Sequence, residues 1–233
     1  MTTSGTTTWN PDIGELMEEA YERAGLELRS GYEMKTGRRS LNFLMAEWAN
    51  KGLNLWTVNS GTITLVPGQK TYTSADGLPA NAVDYIEHVC RTNSSGQNTD
   101  ISLNRISVST YANIPTKDQQ GRPYQVYVNR ATNSPTLTLW PVPDSSQTYT
   151  LAYWYLKRID DATNPVSQTI EVPFRFYNAL VAGLAYNIAL KNPEASDRIT
   201  MLKDLYEEAF QLAADEDRDR ASDRFIPFTD YGF

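Results

Sequence analysis

The sequence predicts an α+β fold: a helical bundle built from amino- and carboxyl-terminal helices, an inserted antiparallel β domain and an extended carboxyl-terminal arm. Apolar residues recur at helical spacing at both ends of the 233-residue chain, whereas β-branched and aromatic runs fill its middle. Each outer helix pair is too small to be stable alone, so we expect the two pairs to pack together. The predicted segments are 1–53 (amino-terminal arm and two helices), 54–158 (β domain), 159–220 (two helices) and 221–233 (carboxyl-terminal arm).

The amino-terminal segment is predicted to contain two helices. Asn10 and Pro11 are typical of a helix start, because the Asn side chain can cap the first turn and Pro fits its first position. Gly25 is typical of a helix end. The second helix is predicted from about residue 36 to residue 51. Its apolar face consists of residues spaced three and four apart: Leu41, Leu44, Met45 and Trp48.

Residues 54–158 are predicted to form seven or eight strands of a small antiparallel sandwich or barrel-like sheet. Runs such as "LWTV", "DISLNRI" and "YTLAYWYLKR" are separated by turn sequences such as "NSSGQN" and "QQGRP". Side chains alternate along a strand. One face should therefore carry Tyr149, Leu151, Tyr153 and Tyr155, and the other Thr150, Ala152 and Trp154. A short helix is expected near residues 107–114.

Helices are predicted to return after a polar linker. Pro173 can open one helix, and Asn192 with Pro193 can open a long final one. The predicted apolar stripe of the final helix is Ile199, Leu202, Leu205, Tyr206, Ala209, Leu212 and Ala213. The sequence then becomes almost wholly polar in "DEDRDRASDR" and finishes with the apolar, aromatic "FIPFTDYGF".

The composition is that of an acidic globular protein. Net charge is −7, with 40% hydrophobic and 21% charged residues, which opposes binding that depends on neutralising phosphates. The single cysteine cannot form an internal disulfide and fits a reducing cytoplasm. We find no apolar run long enough to span a membrane, and the opening "MTTSGTTTWNPD" lacks the basic and apolar regions of a secretory signal.

The sequence predicts no catalytic, cofactor or metal site, and therefore no enzyme. The only histidine, His88, lies two residues before the only cysteine, Cys90, and we interpret them as a half-buried strand histidine and a small apolar cysteine. Gly-rich phosphate-binding motifs are missing from the sequence. Paired carboxylates such as Glu18 and Glu19 are neighbours on a helix, where adjacent side chains do not face each other.

A basic cluster of Arg29, Arg38 and Arg39 precedes and opens the second helix. A helix-turn-helix motif is one interpretation, but the connection between Gly25 and Thr36 is much longer than the three or four residues of that motif. We instead expect these arginines to lie at a subunit boundary, facing the acidic carboxyl-terminal helix.

Two blocks carry a resemblance to a known family: "SGYEMKTGRRSLNFLMAEWANKGLNLWTV" and "VPFRFYNALVAGLAYNIALKNPE". They resemble stretches of tailed-phage head-to-tail adaptor proteins, also called tail accessory or head-completion proteins. The resemblance extends over roughly residues 11–233. It implies a structural virion protein at the head–tail junction, assembled in the host cytoplasm into a ring, typically of twelve subunits.

The resemblance also implies partners. These are the portal protein above the ring, the tail nozzle, tube or hub protein below it, and tail fibres as a further candidate. Genomic DNA would pass through the channel without specific binding, and neither a cofactor nor a membrane is implied. The large β region departs from the shorter adaptors, and we expect it to form an outer wall that receives tail or fibre components.

Two segments near the carboxyl terminus are candidate functional elements. By the resemblance, the arm docks on the portal through Arg224, Phe225, Ile226, Pro227, Phe228, Tyr231 and Phe233. The apolar burial available to the arm is about equal to the backbone entropy lost on ordering it, so a second chain is needed to tip the balance. Folding of the arm back over its own β region is the alternative. The acidic residues Asp215, Glu216, Asp217 and Asp219 are expected to line the channel and repel DNA phosphates.

Two other functions stay open from the sequence. A wall-degrading hydrolase carried in the virion would need a carboxylate pair that converges from separate elements. A DNA-binding packaging or regulatory protein would bind DNA with an affinity that falls steeply with added salt.

Overall fold

The computed structural model describes residues 5–51, 55–94, 97–130, 134–164 and 168–217. The chain is α+β, which confirms the predicted fold class. It divides into two compact units. The first unit combines the residues up to Leu44 with those from Ala162 onward, and the second is the continuous stretch Met45–Asp161.

The described part of the chain contains five α-helices and eight strands. The helices are α1 (Ile13–Ala24), α2 (Gly31–Asn50), α3 (Val108–Ala112), α4 (Tyr177–Ala189) and α5 (Ile199–Glu216). The strands are β1 (Val58–Thr64), β2 (Thr71–Tyr72), β3 (Ala82–Ser94), β4 (Gln97–Ser102), β5 (Asn104–Ile106), β6 (Gln125–Asn129), β7 (Thr136–Trp140) and β8 (Tyr149–Lys157).

Helix α1 begins two residues later than the sequence predicted. Its cap is Asp12, whose carboxylate accepts the Glu15 amide at 2.8 Å while the Glu15 side chain accepts the Asp12 amide. The Asn10 side chain instead accepts a hydrogen bond from the Tyr177 hydroxyl at 2.8 Å. The predicted end is confirmed, because Gly25 adopts the left-handed conformation with φ 77°.

Helix α2 begins five residues before the predicted start, at Gly31. The Glu33 carboxylate accepts the amides of Arg29 and Ser30 at 2.7 and 2.8 Å, and the Ser30 hydroxyl accepts the Glu33 amide at 3.3 Å. This reciprocal cap satisfies backbone donors that would otherwise lack partners and offsets the low helix propensity of two glycines in α2. The predicted apolar face is confirmed, since Leu41, Leu44, Met45 and Trp48 are all buried.

Helix α4 is the most buried helix of the first unit and packs against α1 and α5. Its close approach to neighbouring helices depends on Gly183. A Cβ atom at this position would lie 2.8 Å from Tyr206 Cε2 on α5 and 3.1 Å from Leu44 Cδ1 on α2. Glycine therefore sets the distance at which these helices meet.

Short 3₁₀ turns precede both carboxyl-terminal helices. Pro173 precedes the turn Phe174–Phe176 before α4, and Asn192 precedes the turn Pro193–Arg198 before α5, but neither side chain makes a capping hydrogen bond. The predicted start signals are thus correctly placed, but each opens a 3₁₀ turn and the α-helix follows it.

The second unit contains two four-stranded sheets, with orders β1-β8-β3-β4 and β2-β7-β6-β5. All pairs are antiparallel except β5 with β6, which is parallel and corrects the all-antiparallel prediction. The predicted run "DISLNRI" splits between the sheets, with buried Leu103 between β4 and β5. The run "LWTV" was wrongly predicted as a strand, because Leu55–Thr57 forms a 3₁₀ turn.

Both sheets contribute side chains to one apolar core. From the first sheet come residues such as Tyr85, Cys90, Leu151 and Tyr153, and from the second Val126, Val128, Leu137 and Leu139. Alternation along β8 is confirmed in part: Tyr149, Leu151 and Tyr153 are buried and Trp154 is 40% exposed, but Ala152 on the opposite face is also buried. The predicted short helix is α3, capped by the hydroxyl of Ser107.

Candidate assembly surfaces

The only histidine and cysteine lie buried on β3. Burial lowers the pKa of His88 to about 4, with a smaller contribution from the Arg105 cation. Burial also raises the pKa of the Cys90 thiol to about 11. A neutral imidazole and a protonated thiol fit the predicted packing role, with the histidine fully rather than half buried.

Carboxylates in the described residues do not gather into a metal site. Within those residues, no group of three or more His, Cys, Asp or Glu side chains is placed to hold a metal ion. The adjacent pair Glu18 and Glu19 is exposed on α1, and Glu19 forms an ion pair with Arg23 at 2.8 Å. Among the described helices, none combines the length and apolarity needed to cross a bilayer.

The predicted acidic segment has two environments. Asp215 and Glu216 are exposed in the last turn of α5, and Asp215 accepts a hydrogen bond from Gln211 at 3.1 Å. Asp217, the residue that caps α5, is buried and forms an ion pair with Arg175. Asp219 lies outside the described residues. The Asp217 carboxylate is therefore directed into its own chain.

Arg175 connects the end of α5 to the 3₁₀ turn before α4. Its guanidinium also lies 5.7 Å from the centre of the Phe176 ring, within cation–π distance. The Asp217 side chain is 5% exposed and that of Arg175 is 29% exposed. This ion pair fixes the point at which the chain leaves α5. No sequence signal pointed to it, because the two residues are 42 positions apart.

The three arginines of the predicted basic cluster have different environments. Arg29 forms an exposed ion pair with Glu27 at 2.6 Å. Arg38 donates a hydrogen bond to the backbone carbonyl of Thr163. Arg39 is exposed on α2. Only the last of these three has no hydrogen bond or ion pair with any residue in the described ranges.

Arg39 belongs to a surface that we call the basic stripe: Tyr32, Lys35, Arg39 and Phe43 on α2. All four side chains are exposed, Tyr32 and Phe43 by 75% and 66%. Beside the stripe is a groove of about 480 Å³, which Lys191 also lines. Lys191 donates to the Ser40 hydroxyl, and burial together with the Arg39 charge lowers the pKa of its ammonium group.

A second surface, which we call the acidic groove, has a volume of about 520 Å³. Four glutamates of α1 line it: Glu15, Glu18, Glu19 and Glu22. At one end Trp9, 74% exposed, packs edge-on against Tyr177 with ring centres 5.8 Å apart. The groove therefore combines negative charge with an exposed indole.

Helix α5 has apolar residues on two sides. Leu202, Tyr206, Ala209 and Ala213 are buried, whereas Met201, Leu205 and Leu212 are exposed. The sequence had placed Leu205 and Leu212 on the buried stripe, which is wrong. The residues of the predicted portal-docking arm, 224–233, lie outside the described residues.

The family model described as SU10 adaptor protein matches residues 12–227. No curated protein matches the chain.

Proposed function

The chain belongs to the SU10 adaptor protein family, a phage head–tail adaptor family, and on that premise we propose that it forms a ring that docks under the portal. It is a structural, virion-associated phage protein that associates with other head or tail proteins. The proposed ring, of twelve copies by the resemblance, extends the DNA channel and gives the tail its attachment surface. The observation that carries this proposal is the family match, which spans nearly the whole chain.

The carboxyl-terminal arm is the proposed portal contact. Its sequence is rich in apolar and aromatic residues, and Phe225, Ile226 and Phe228 can supply about 1.5–3 kcal/mol each when fully buried. The Arg175–Asp217 ion pair supports this role, because it holds the end of α5 at a defined place. An arm that starts from a fixed point loses less freedom on docking than one that starts from a mobile helix end.

The exposed acidic end of α5 is the proposed channel lining. Asp215 and Glu216 can repel DNA phosphates, which would let the genome pass without adhering. Asp219 is proposed to act with them. Asp217 contributes less to that field, since its charge is compensated by Arg175.

The test of portal docking is sedimentation of the purified chain with and without the portal ring of the same genome. We expect the full chain to join the portal in a large complex and a truncation ending at Ala221 to stay free. A matched variant that keeps the length, with Phe225, Ile226 and Phe228 replaced by Ser, should behave like the truncation. If the full chain and both variants stay free beside a well-formed portal, the docking proposal is wrong.

A further inference from the structure

We propose that neighbouring copies of the chain join through unlike surfaces, with the basic stripe on α2 of one copy seated in the acidic groove on α1 of the next. The inference rests on the ring proposed above and names the surfaces that close it. A second copy of this chain is the occupant of the groove.

The basic stripe is a helix face without an internal partner. Tyr32 and Phe43 expose most of their ring surface, and the cations of Lys35 and Arg39 lie between them along α2. Within the described ranges, none of these four side chains forms a hydrogen bond, an ion pair or a ring stack. Aromatic and arginine side chains together on an open surface are typical of the centre of a protein–protein contact.

The acidic groove complements that stripe in charge. Glu15 is occupied in the helix cap and Glu19 pairs with Arg23. The side chains of Glu18 and Glu22 are exposed and form no hydrogen bond or ion pair within the described part of the chain. The exposed Trp9 ring offers a flat face on which an arginine could stack. Two carboxylates and one indole therefore face the groove without a charged partner of their own.

Helical spacing shows how each surface lies relative to the contact between α1 and α2. Helices α1 and α2 meet where a Cβ on Gly37 would lie 3.2 Å from Met17 Sδ and 3.3 Å from Tyr21 Cε2. Successive helical residues are about 100° apart, so a residue two positions along points roughly 200° away. Lys35 and Arg39 are each two positions from Gly37, and both therefore point away from α1.

The same spacing applies to α1. Glu15 and Glu19 are each two positions from Met17 and therefore point away from α2. Glu18 and Glu22 are one position from Met17 and Tyr21 and therefore point about 100° to the side of that contact. One copy thus presents its positive and negative surfaces on different helices and in different directions. Contacts between unlike surfaces are heterologous, and such contacts close into rings when the rotation between copies allows it.

Charge reversal of one surface at a time tests the inference. The variants are Glu18→Lys with Glu22→Lys, Lys35→Glu with Arg39→Glu, and all four changes in one chain. As a matched control, Asp204→Lys with Glu208→Lys changes the charge equally on exposed positions of α5. Assembly is followed by native mass spectrometry and sedimentation velocity, with and without the portal ring, and unchanged urea midpoints confirm that each variant folds.

We expect each single-surface variant to need at least a tenfold higher concentration for half-assembly. Because one variant then has two basic surfaces and the other two acidic ones, mixing them should restore rings of alternating copies. The fourfold variant should assemble alone, and the control should match the wild type. Raising the salt concentration from about 50 mM to about 500 mM should weaken wild-type assembly, since these charges are exposed.

The remaining outcomes separate the two proposals. If the wild type joins the portal as a ring and both single-surface variants do so equally well, the surfaces are wrongly assigned and the adaptor proposal stands. If the variants form rings by themselves but fail to join the portal, the groove binds the portal and a second copy is not its occupant. If the control variant also fails to assemble, the change in net charge and not the two surfaces explains the loss, and the inference is overturned. If the wild type neither forms a ring nor joins the portal, both proposals are wrong.

Discussion

Alanine at Gly183 should destabilise the first unit although it raises helix propensity. The added methyl group would lie 2.8 and 2.9 Å from Tyr206 Cε2 and Cδ2 and 3.1 Å from Leu44 Cδ1. Carbon atoms normally pack at about 3.5–4.0 Å, so the ring must move by about 0.7 Å or more. Overpacking of this kind costs about 1–3 kcal/mol, and the gain in helix propensity offsets about 1 kcal/mol of it. The expected net loss is about 1 kcal/mol.

Two other helical glycines provide matched controls for the same substitution. A Cβ on Gly31 would meet nothing within 4 Å, so alanine there, at the first position of α2, should be neutral or slightly stabilising. Gly37 is intermediate, because its nearest neighbour is the flexible Met17 side chain at 3.2 Å, and its replacement should be nearly neutral. Urea unfolding followed by far-ultraviolet circular dichroism measures all three changes.

Replacing Tyr206 tests the cause of the loss. In a Tyr206→Leu background the ring that the methyl group meets is gone, so Gly183→Ala should become neutral or stabilising. The coupling between the two positions should reach about 1 kcal/mol or more. A Gly183→Ala variant that is as stable as Gly31→Ala in the wild-type background would show that α4 and α5 do not approach as closely as described.

Three further changes test other features. Arg175→Met removes the cation that pairs with the buried Asp217 carboxylate and should cost about 2–3 kcal/mol in urea unfolding. Arg29→Met breaks an exposed pair and should cost less than about 1 kcal/mol, and equal losses would contradict the burial of the first pair. The pKa of His88 is lowered to about 4, so the unfolded state takes up a proton near pH 6.5 that the folded state does not. Stability should therefore fall by up to about 3 kcal/mol as the pH drops from about 6.5 to about 4. His88→Gln should remove the part of the pH-dependent stability loss that His88 causes. An NMR titration of the folded chain in which the His88 imidazole has its midpoint near pH 6.5 would contradict the lowered pKa. Burial raises the pKa of the Cys90 thiol to about 11, so a thiol reagent at pH 8 should label it only in urea, and rapid labelling of the native chain would count against its buried position.

Much of the helical architecture could be predicted because its signals are local. Pro173 and Asn192 precede the 3₁₀ turns that lead into α4 and α5, and Gly25 ends α1. Such start and stop signals depend on nearby residues and can be recognised in the sequence. The early start of α2 was also readable, because Ser30 and Glu33 have the spacing of a capping box. The two glycines that follow Ser30 along α2 obscured that signal.

Other features of the fold depend on contacts between residues that are far apart in the sequence. The pairing of Arg175 with Asp217 needs the fold of α4 against α5. The exposure of Leu205 and Leu212 depends on which side of α5 meets α4, and helical spacing alone cannot decide between two apolar sides. The parallel pairing of β5 likewise follows from a chain that leaves one sheet at Leu103 and enters the other.

The first unit is made from both ends of the chain, so its two parts are synthesised at different times. Helix α1 and the first turns of α2 leave the ribosome early, but α4, against which α1 packs, follows only after Met45–Asp161 has been made. At about 5–20 residues per second this interval is on the order of 10 s. The continuous second unit can fold in that time, whereas the first unit must wait for α4. A nascent chain therefore completes the packing of α1 only late in translation, which would delay the proposed ring formation among chains still being synthesised.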